Sequence, residues 1–451
     1  MNTFSMWPQP STARQAAEQQ VADARAADDP AALATALLMI GDVDLASGAF
    51  QEALSRFDEA LVLARRHQLP ELIMQSWGAI GRGLYYVGDY RPAHNALQRA
   101  LQQALQHQHL QTALDVLLYM GLVEADAGDV AHAMTTLEHA VNHATAQQDT
   151  LRLGIASGRL GQLLLADNQP EKAGPHFNQA LVSAFQLKNP HAEIQARLGL
   201  GQVYLRAGKQ IQAMHQFEQA TAAAETLGEA SVYATVLGAM MRTGLAGGQA
   251  ERVMGASDAA LVRAVEGGSP ETEAALLVEI GTVWVEQEAY ARALGYLLRA
   301  VPLLQSRTQD GVLVALQSTI GMAQFQLGEL EAAYATYHAA LELAESLEIV
   351  EARAVLHGRL SSILTEQEDF TGALEQAEQA VALVEGLPQP ALQGELYMVL
   401  AFALFELARQ AEAIGYARRA HELLVAQQNE ALAAQVALIL TEWEADAPQP
   451  S

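Results

Sequence analysis

The sequence contains no cysteine. Disulfides, thiol catalysis and Cys-ligated zinc are thereby excluded, and a reducing compartment is compatible. Aromatic residues fill only 6% of the 451 positions, and lysine occurs only as Lys172, Lys188 and Lys209. That preference for arginine is what a GC-rich bacterial genome produces. Basic residues number 26 against 52 acidic ones, for a formal charge of −26. This balance argues against nucleic acid, whose binding runs on Lys and Arg contacts with phosphate, and against an anionic membrane surface. The charge is uneven: residues 271–451 carry 26 acids and 8 bases, while residues 1–270 carry 26 and 18. Two readings stand, a C-terminal half that attracts a basic partner and a solvated acidic surface that keeps the chain soluble. No apolar run reaches the length of a spanning helix, because Gly, Gln, Asp or Glu interrupts each one. The opening MNTFSMWPQPS lacks a basic region and an apolar core. No secretory signal is expected, and the expected location is the cytoplasm.

What the chain does have is a repeat. Gly41, Gly81, Gly121, Gly161, Gly201, Gly281 and Gly321 share one register at a spacing of forty residues, with no insertion between copies. Twelve residues after each comes an alanine, Ala53 in the first copy and Ala333 in the last, and seven later another, from Ala60 to Ala340. Between them a large residue recurs: Phe57, Leu97, Leu137, Phe177, Phe217, Leu297 and Tyr337. Such a period means a stacked helical array whose units bury one another's apolar faces. The composition agrees, since alanine is the best helix former.

One unit illustrates the local logic. Pro70 opens helix A, where a first turn tolerates the missing N–H. Trp77, Ile80 and Leu84 share a face at helical spacing. Gly88 is expected to end the helix, free to adopt the left-handed conformation that a helix terminus often needs, and Asp89 is expected to cap helix B. Tyr90, Ala93, Leu97, Ala100, Leu101 and Leu105 form the expected buried stripe of helix B. Pro30, Pro190, Pro270 and Pro390 repeat the opening signal. The expected organisation is a disordered segment over 1–10, a capping helix over 11–29, ten tandem repeats over 30–428, a second cap over 429–445 and a disordered tail over 446–451. Residues 1–10, with Phe4, Met6 and Trp7 among Pro and Ser, are expected either to dock in a groove or to stay loose.

The sixth unit departs from the pattern. Met241 stands in the glycine register, Val253 in the alanine register and Ser257 in that of the large residue, with six further glycines from Gly244 to Gly268. Interior glycine costs a helix about 0.5–1 kcal/mol relative to alanine. A soft point over 238–270 and a worn repeat with unchanged packing are both consistent with this.

The Gly, the two Ala, the large residue between them and the terminal Pro resemble the tetratricopeptide repeat over residues 31–428. The forty-residue form is similar to the longer-helix arrays of bacterial regulatory proteins and animal spindle-orientation adaptors. The resemblance implies an all-α fold, an α-solenoid wound as a right-handed superhelix of about ten helix-turn-helix units with terminal capping helices. Those adaptors carry Asn just after the helix A glycine, where this chain has Asp42, Arg82, Leu122, Gln162, Gln202, Thr282 and Met322. The two-Lys, two-Asn clamp of chaperone-binding members is also missing.

Little in the sequence signals catalysis. GAIGRG at 78–83 matches a dinucleotide fingerprint superficially but lies inside an expected helix with no strand before it. His139 and His143 are one turn apart without an evident third ligand. Glu366, Glu368 and Asp369 sit at a helix end, where acids favour the dipole of the next helix. No catalytic centre, cofactor or metal is expected.

A curved stack of ten helix pairs offers an inner face of about 100 Å lined by helix A, long enough for an extended peptide or a partner helix. The candidate binding residues are Arg82, Tyr85, Tyr86, Gln162, Gln202, Arg206, Arg242, Met322 and Phe325. Tyr85 and Tyr86 suit an exposed groove, since aromatics bury much area for little entropy. Phe402 and Phe405 either line it or pack on the C-terminal cap. The expected function is a non-enzymatic scaffold for another protein or peptide, with no nucleic acid or membrane as partner. The alternatives are a regulatory sensor that changes pitch on binding a peptide or small molecule, and a structural solenoid that assembles through its terminal repeats.

Overall fold

The computed structural model describes residues 10–305, 310–387, 389–427 and 429–446. They form 22 helices and no strand. Apart from Pro10 and Asp446, the segments expected to be disordered lie outside the described residues. The chain divides into two compact units, residues 1–227 and 228–451.

In the first unit α1 (Pro10–Ala26) precedes five hairpins. Their A helices are α2 (Pro30–Ala46), α4 (Pro70–Val87), α6 (Leu110–Asp126), α8 (Thr150–Ala166) and α10 (Pro190–Arg206). Their B helices are α3 (Phe50–Arg66), α5 (Tyr90–Gln106), α7 (Val130–Gln147), α9 (Pro170–Leu187) and α11 (Gln210–Leu227). The second unit has A helices α12 (Ala230–Ala246), α14 (Pro270–Glu286), α16 (Asp310–Gln326), α18 (Val350–Glu366) and α20 (Pro390–Glu406). Its B helices are α13 (Ala250–Glu266), α15 (Tyr290–Gln305), α17 (Leu330–Ser346), α19 (Phe370–Val384) and α21 (Gln410–Ala426), and α22 (Glu430–Asp446) follows.

The turns repeat at half the sequence period. Every twentieth residue from Asp28 to Glu288 has a positive φ, and so do Gly328, Glu348, Glu368 and Ala408. At Gly88 (φ 90) the N–H bonds to the Tyr85 carbonyl at 3.0 Å and the next N–H, of Asp89, to that of Leu84 at 3.0 Å. These bonds satisfy carbonyls that the helix end leaves free. The same pair of bonds closes the B helix α3, where Gln68 and Leu69 donate to Arg65 and Ala64. Thus both turns of a hairpin have one geometry, although only the A-to-B turn is usually marked by glycine.

Asp129, Asp149, Asn189, Ser269 and Asp369 cap the following helices by accepting the N–H three residues on. Asp89 takes the N-cap position of α5 as expected, but its side chain makes no capping hydrogen bond. The residue three positions on is Pro92, which has no N–H to give.

Hairpin cores are built on close approach. Phe57, Leu97, Leu137, Phe177, Phe217, Leu297 and Tyr337 are all buried, and each lies against the register glycine of its own A helix. A Cβ on Gly121 would stand 2.7 Å from Leu137 Cγ, closer than carbon atoms approach. Each such side chain contributes about 1.5–3 kcal/mol by burial. Leu105 is the exception to the expected stripe, at 53% exposure. Ala93, Leu97, Ala100 and Ala104 follow the true helical period, and Ala104 takes the buried place.

Within each unit successive A helices touch: α2 with α4, α4 with α6, α6 with α8 and α8 with α10, and likewise from α12 to α20. No successive B helices do so among the described residues. Each unit therefore bends with its A helices inside.

The sixth hairpin is packed differently. α12 and α13 approach each other over a shorter stretch than the helices of any other hairpin, while α12 lies directly along α14. Met241, fully buried, occupies the space where glycine elsewhere admits a B-helix side chain, and Ser257 has nothing large to insert.

At the ends, α1 buries Ala17, Val21 and Ala24, and α22 buries Ala433, Val436, Leu440 and Trp443.

Candidate functional site

In the first unit the A faces of α2, α4 and α6 enclose a cleft of about 300 Å³. Its floor is Gly78 and Ala79 of α4, between Leu38 and Met39 on one side and Val116 and Tyr119 on the other. Thr35, Gln75, Thr112 and Asp115 line one end, and Asp42 and Arg82 the other. The indentation exists because α4 carries small residues where α2 and α6 carry large ones.

Polar side chains brace the helices around it. Arg82 Nη2 donates to Asp42 Oδ1 at 2.6 Å, and the guanidinium lies 5.8 Å from the centre of the Tyr119 ring. Burial works most strongly against that charge, but Asp42, Tyr119 and Asp115 together outweigh it and hold Arg82 above its usual value. Arg152 of α8 grips Asp115 of α6 with Nε and Nη2, both at 2.7 Å, and its Nη1 donates to Asp149 at 2.7 Å. Tyr85 Oη donates to Asp126 Oδ2 at 2.7 Å. Burial first, then this bond, pushes the Tyr85 phenol well above its ordinary range. Burial does the same to Tyr119. Tyr86 stacks on Phe50 at 5.8 Å and meets Tyr85 edge-on at 5.3 Å.

The candidate residues are therefore distributed as follows. Arg82 lines the cleft, and Tyr85 and Tyr86 are half-buried members of an aromatic cluster at its end. On α8 Gln162 is exposed and accepts from Arg159 at 3.2 Å, Gln202 is exposed on α10, and Arg206 Nη1 donates to Asn168 Oδ1 at 3.0 Å. In the second unit Arg242 of α12 is clamped to α14, with Glu279 at 2.9 Å and Glu286 at 2.5 and 2.8 Å. Hydrogen bonds to Glu286 first, and to Glu279, raise its pKa despite burial. Met322 and Phe325 are half-buried against the cluster around Tyr337. Phe402 and Phe405 pack on Trp443 of the cap, Phe405 stacked at 4.3 Å.

Sequence reasoning missed Asp42, Asp115, Tyr119 and Arg152. A signal existed: Arg82 follows Asp42 by 40 residues, Arg152 follows Asp115 by 37 and Glu279 follows Arg242 by 37. Opposite charges one repeat apart on neighbouring A helices are natural partners.

Chemically, the cleft's arginines and carboxylates hold each other and its phenols stay protonated, so it presents hydrogen bonds and apolar surface. GAIGRG lies within α4, where Gly81 and Gly83 admit Leu97 and Leu54. His139 and His143 are exposed, and no group of three His, Asp or Glu among the described residues is placed to hold a metal. No described helix is long and apolar enough to cross a membrane.

Residues 316–347 match a family model of the tetratricopeptide repeat. A sequence search of curated proteins finds no match. Among solved structures, the chain is similar to a signal-transduction ATPase with numerous domains and a tetratricopeptide repeat sensor, from Pyrococcus horikoshii. The identity is 13% and the TM-score 0.51, over 90% of this chain and 55% of that one, so this chain spans about half that protein's length. It is also similar to BtubC (BKLC) from P. vanneervenii, at 19% identity and TM-score 0.44 over 49% of this chain and 93% of that one. The apo form of RapI matches at 11% identity and TM-score 0.49, over 84% of this chain and 96% of that one. At these identities the likeness is one of fold.

Proposed function

We propose that this chain, a tetratricopeptide repeat array by its fold and by the match over residues 316–347, is a non-enzymatic scaffold that binds a peptide or protein segment on its A-helix face, in the first unit through the cleft of α2, α4 and α6. The observation that carries this reading is the inward bend of the A helices around a cleft whose charges are already satisfied. A braced, preformed surface loses little entropy on binding. Fold alone does not imply function, so the assignment rests on the site: apolar walls, neutral hydrogen-bonding groups at Thr35, Gln75 and Thr112, and rim carboxylates already paired with arginines.

Site-specific crosslinking tests it. A photo-reactive phenylalanine at Met39, 37% exposed in the cleft, is expected to capture the partner from native extract, whereas one at Ile211, 78% exposed on a B helix, is not. Equal capture from both positions would count against the A face as the binding surface.

A second reading, the regulatory sensor, draws on the altered packing of α12, α13 and α14. Solution scattering with and without bound partner separates the two: a constant radius of gyration favours the rigid scaffold. End-to-end assembly has less support, because the outward residues of α1, Glu18, Gln19 and Asp23, are exposed and polar.

A further inference from the structure

Gly78 is a glycine that packing does not require. It lies in the interior of α4, where glycine is less favourable than alanine. Most interior glycines of the first unit's A helices have a clear reason. A Cβ on Gly41 would strike Phe57, one on Gly81 would reach Leu97 at 2.5 Å, and one on Gly161 would reach Phe177 at 3.0 Å. At Gly78 the nearest atoms are Val116 Cγ2 at 3.7 Å and Ala100 Cβ at 4.0 Å, ordinary contacts. What a side chain at Gly78 would fill is the cleft itself.

Resting on the scaffold reading, we infer that the hollow over Gly78 and Ala79 is the anchor pocket for one large apolar side chain of an extended, positively charged peptide. Met39 and Tyr119 supply adaptable and aromatic walls. Gln75 and Thr112, on neighbouring A helices, supply neutral donors and acceptors suited to a peptide backbone. The charge of the peptide follows from the rim, where Asp42 and Asp115 remain 30% and 45% exposed although each is paired, and from the excess of 26 acids over 18 bases in residues 1–270.

The test uses the full chain and fluorescein-labelled, end-capped peptides read by anisotropy. One central position is varied among Leu, Phe, Ser and Asp, with two lysines on each side in one set and two glutamates in the other. Lys-flanked peptides centred on Leu or Phe are expected to bind roughly tenfold tighter than those centred on Ser or Asp. Gly78→Leu, which fills the hollow, and Thr35→Trp, which covers it from an exposed position, are each expected to lose roughly tenfold in affinity. Gly158→Leu, in the same register on α8 and outside the cleft, keeps wild-type binding. Thr35→Trp keeps the test decisive if Gly78→Leu does not fold. Unchanged binding by Thr35→Trp, equal loss in Gly158→Leu, or equal binding of the Glu-flanked set overturns the inference. If no Lys-flanked peptide binds while Met39 still crosslinks the partner, the anchor pocket falls alone; failure of both removes the scaffold reading as well.

Discussion

Ala408 turns the chain at φ 57 with a side chain too small to compensate. That conformation costs an L-residue about 1–2 kcal/mol, so Ala408→Gly is expected to stabilise by about 0.5–1 kcal/mol, seen as a higher melting temperature. The two neighbouring glycines of α4 should respond in opposite senses. Gly81→Ala drives a methyl into Leu97 and is expected to destabilise by about 1–3 kcal/mol. Gly78→Ala meets only ordinary contacts and is expected to stabilise by about 0.5–1 kcal/mol. Identical melting shifts for the two would undo the account of close packing. Asp44 is the buried counterpart. Its carboxylate is 0% exposed between Arg14 at 3.2 Å and Arg56 at 4.0 Å, with no hydrogen bond. Burial raises its pKa against the pull of Arg14 and Arg56, with Glu52 and Glu18 adding to the rise. The folded chain therefore holds this proton more tightly than the unfolded one. Its stabilising contribution is full below the ordinary value of 3.8 and is lost as pH climbs through the folded value. Asp44→Asn should flatten that part of the pH–melting curve and melt no lower than wild type at pH 7; a lower melting point at pH 7 would mean that the ion pairs outweigh burial.

Among the helices of the ten hairpins, α13 is the one held least by its neighbours. Hydrogen exchange is expected to be faster in α13 than in α15, with α12 and α14 protected by their direct contact and by Arg242. Equal protection of α13 and α15 would leave the sixth hairpin merely divergent in sequence. Helix starts and stops were legible at single residues: Pro70 opens α4 and Gly88 closes it. The B-to-A turns were not, because Gln68, Gln108 and Gln148 adopt the left-handed conformation without the glycine that advertises it. Nor was the missing capping bond of the Asp89 side chain, which depends on Pro92, or the exposure of Leu105, which depends on a drift of one residue in the buried stripe.

Across the full chain the dominant long-range term is self-repulsion. With 52 acids against 26 bases, raising salt from low to physiological strength should raise the melting temperature, with the gain in exchange protection concentrated in residues 271–451. A melting temperature that falls with salt would instead give the leading role to exposed ion pairs such as Arg25–Glu59. The forty-residue register of Gly, Ala and a large residue by itself determined the all-helical hairpins and their cores. Those depend on local period and on contacts within one repeat, which spacing encodes directly. Only the packed fold decided what the inner residues do. It turned Arg82 and Arg242 into braces between helices and opened a cleft over Gly78, where α4 is small between larger neighbours. It also set α12 against α14. These outcomes depend on which side chains from different repeats meet, and on the volume left between them, which the order of residues in any one repeat does not specify.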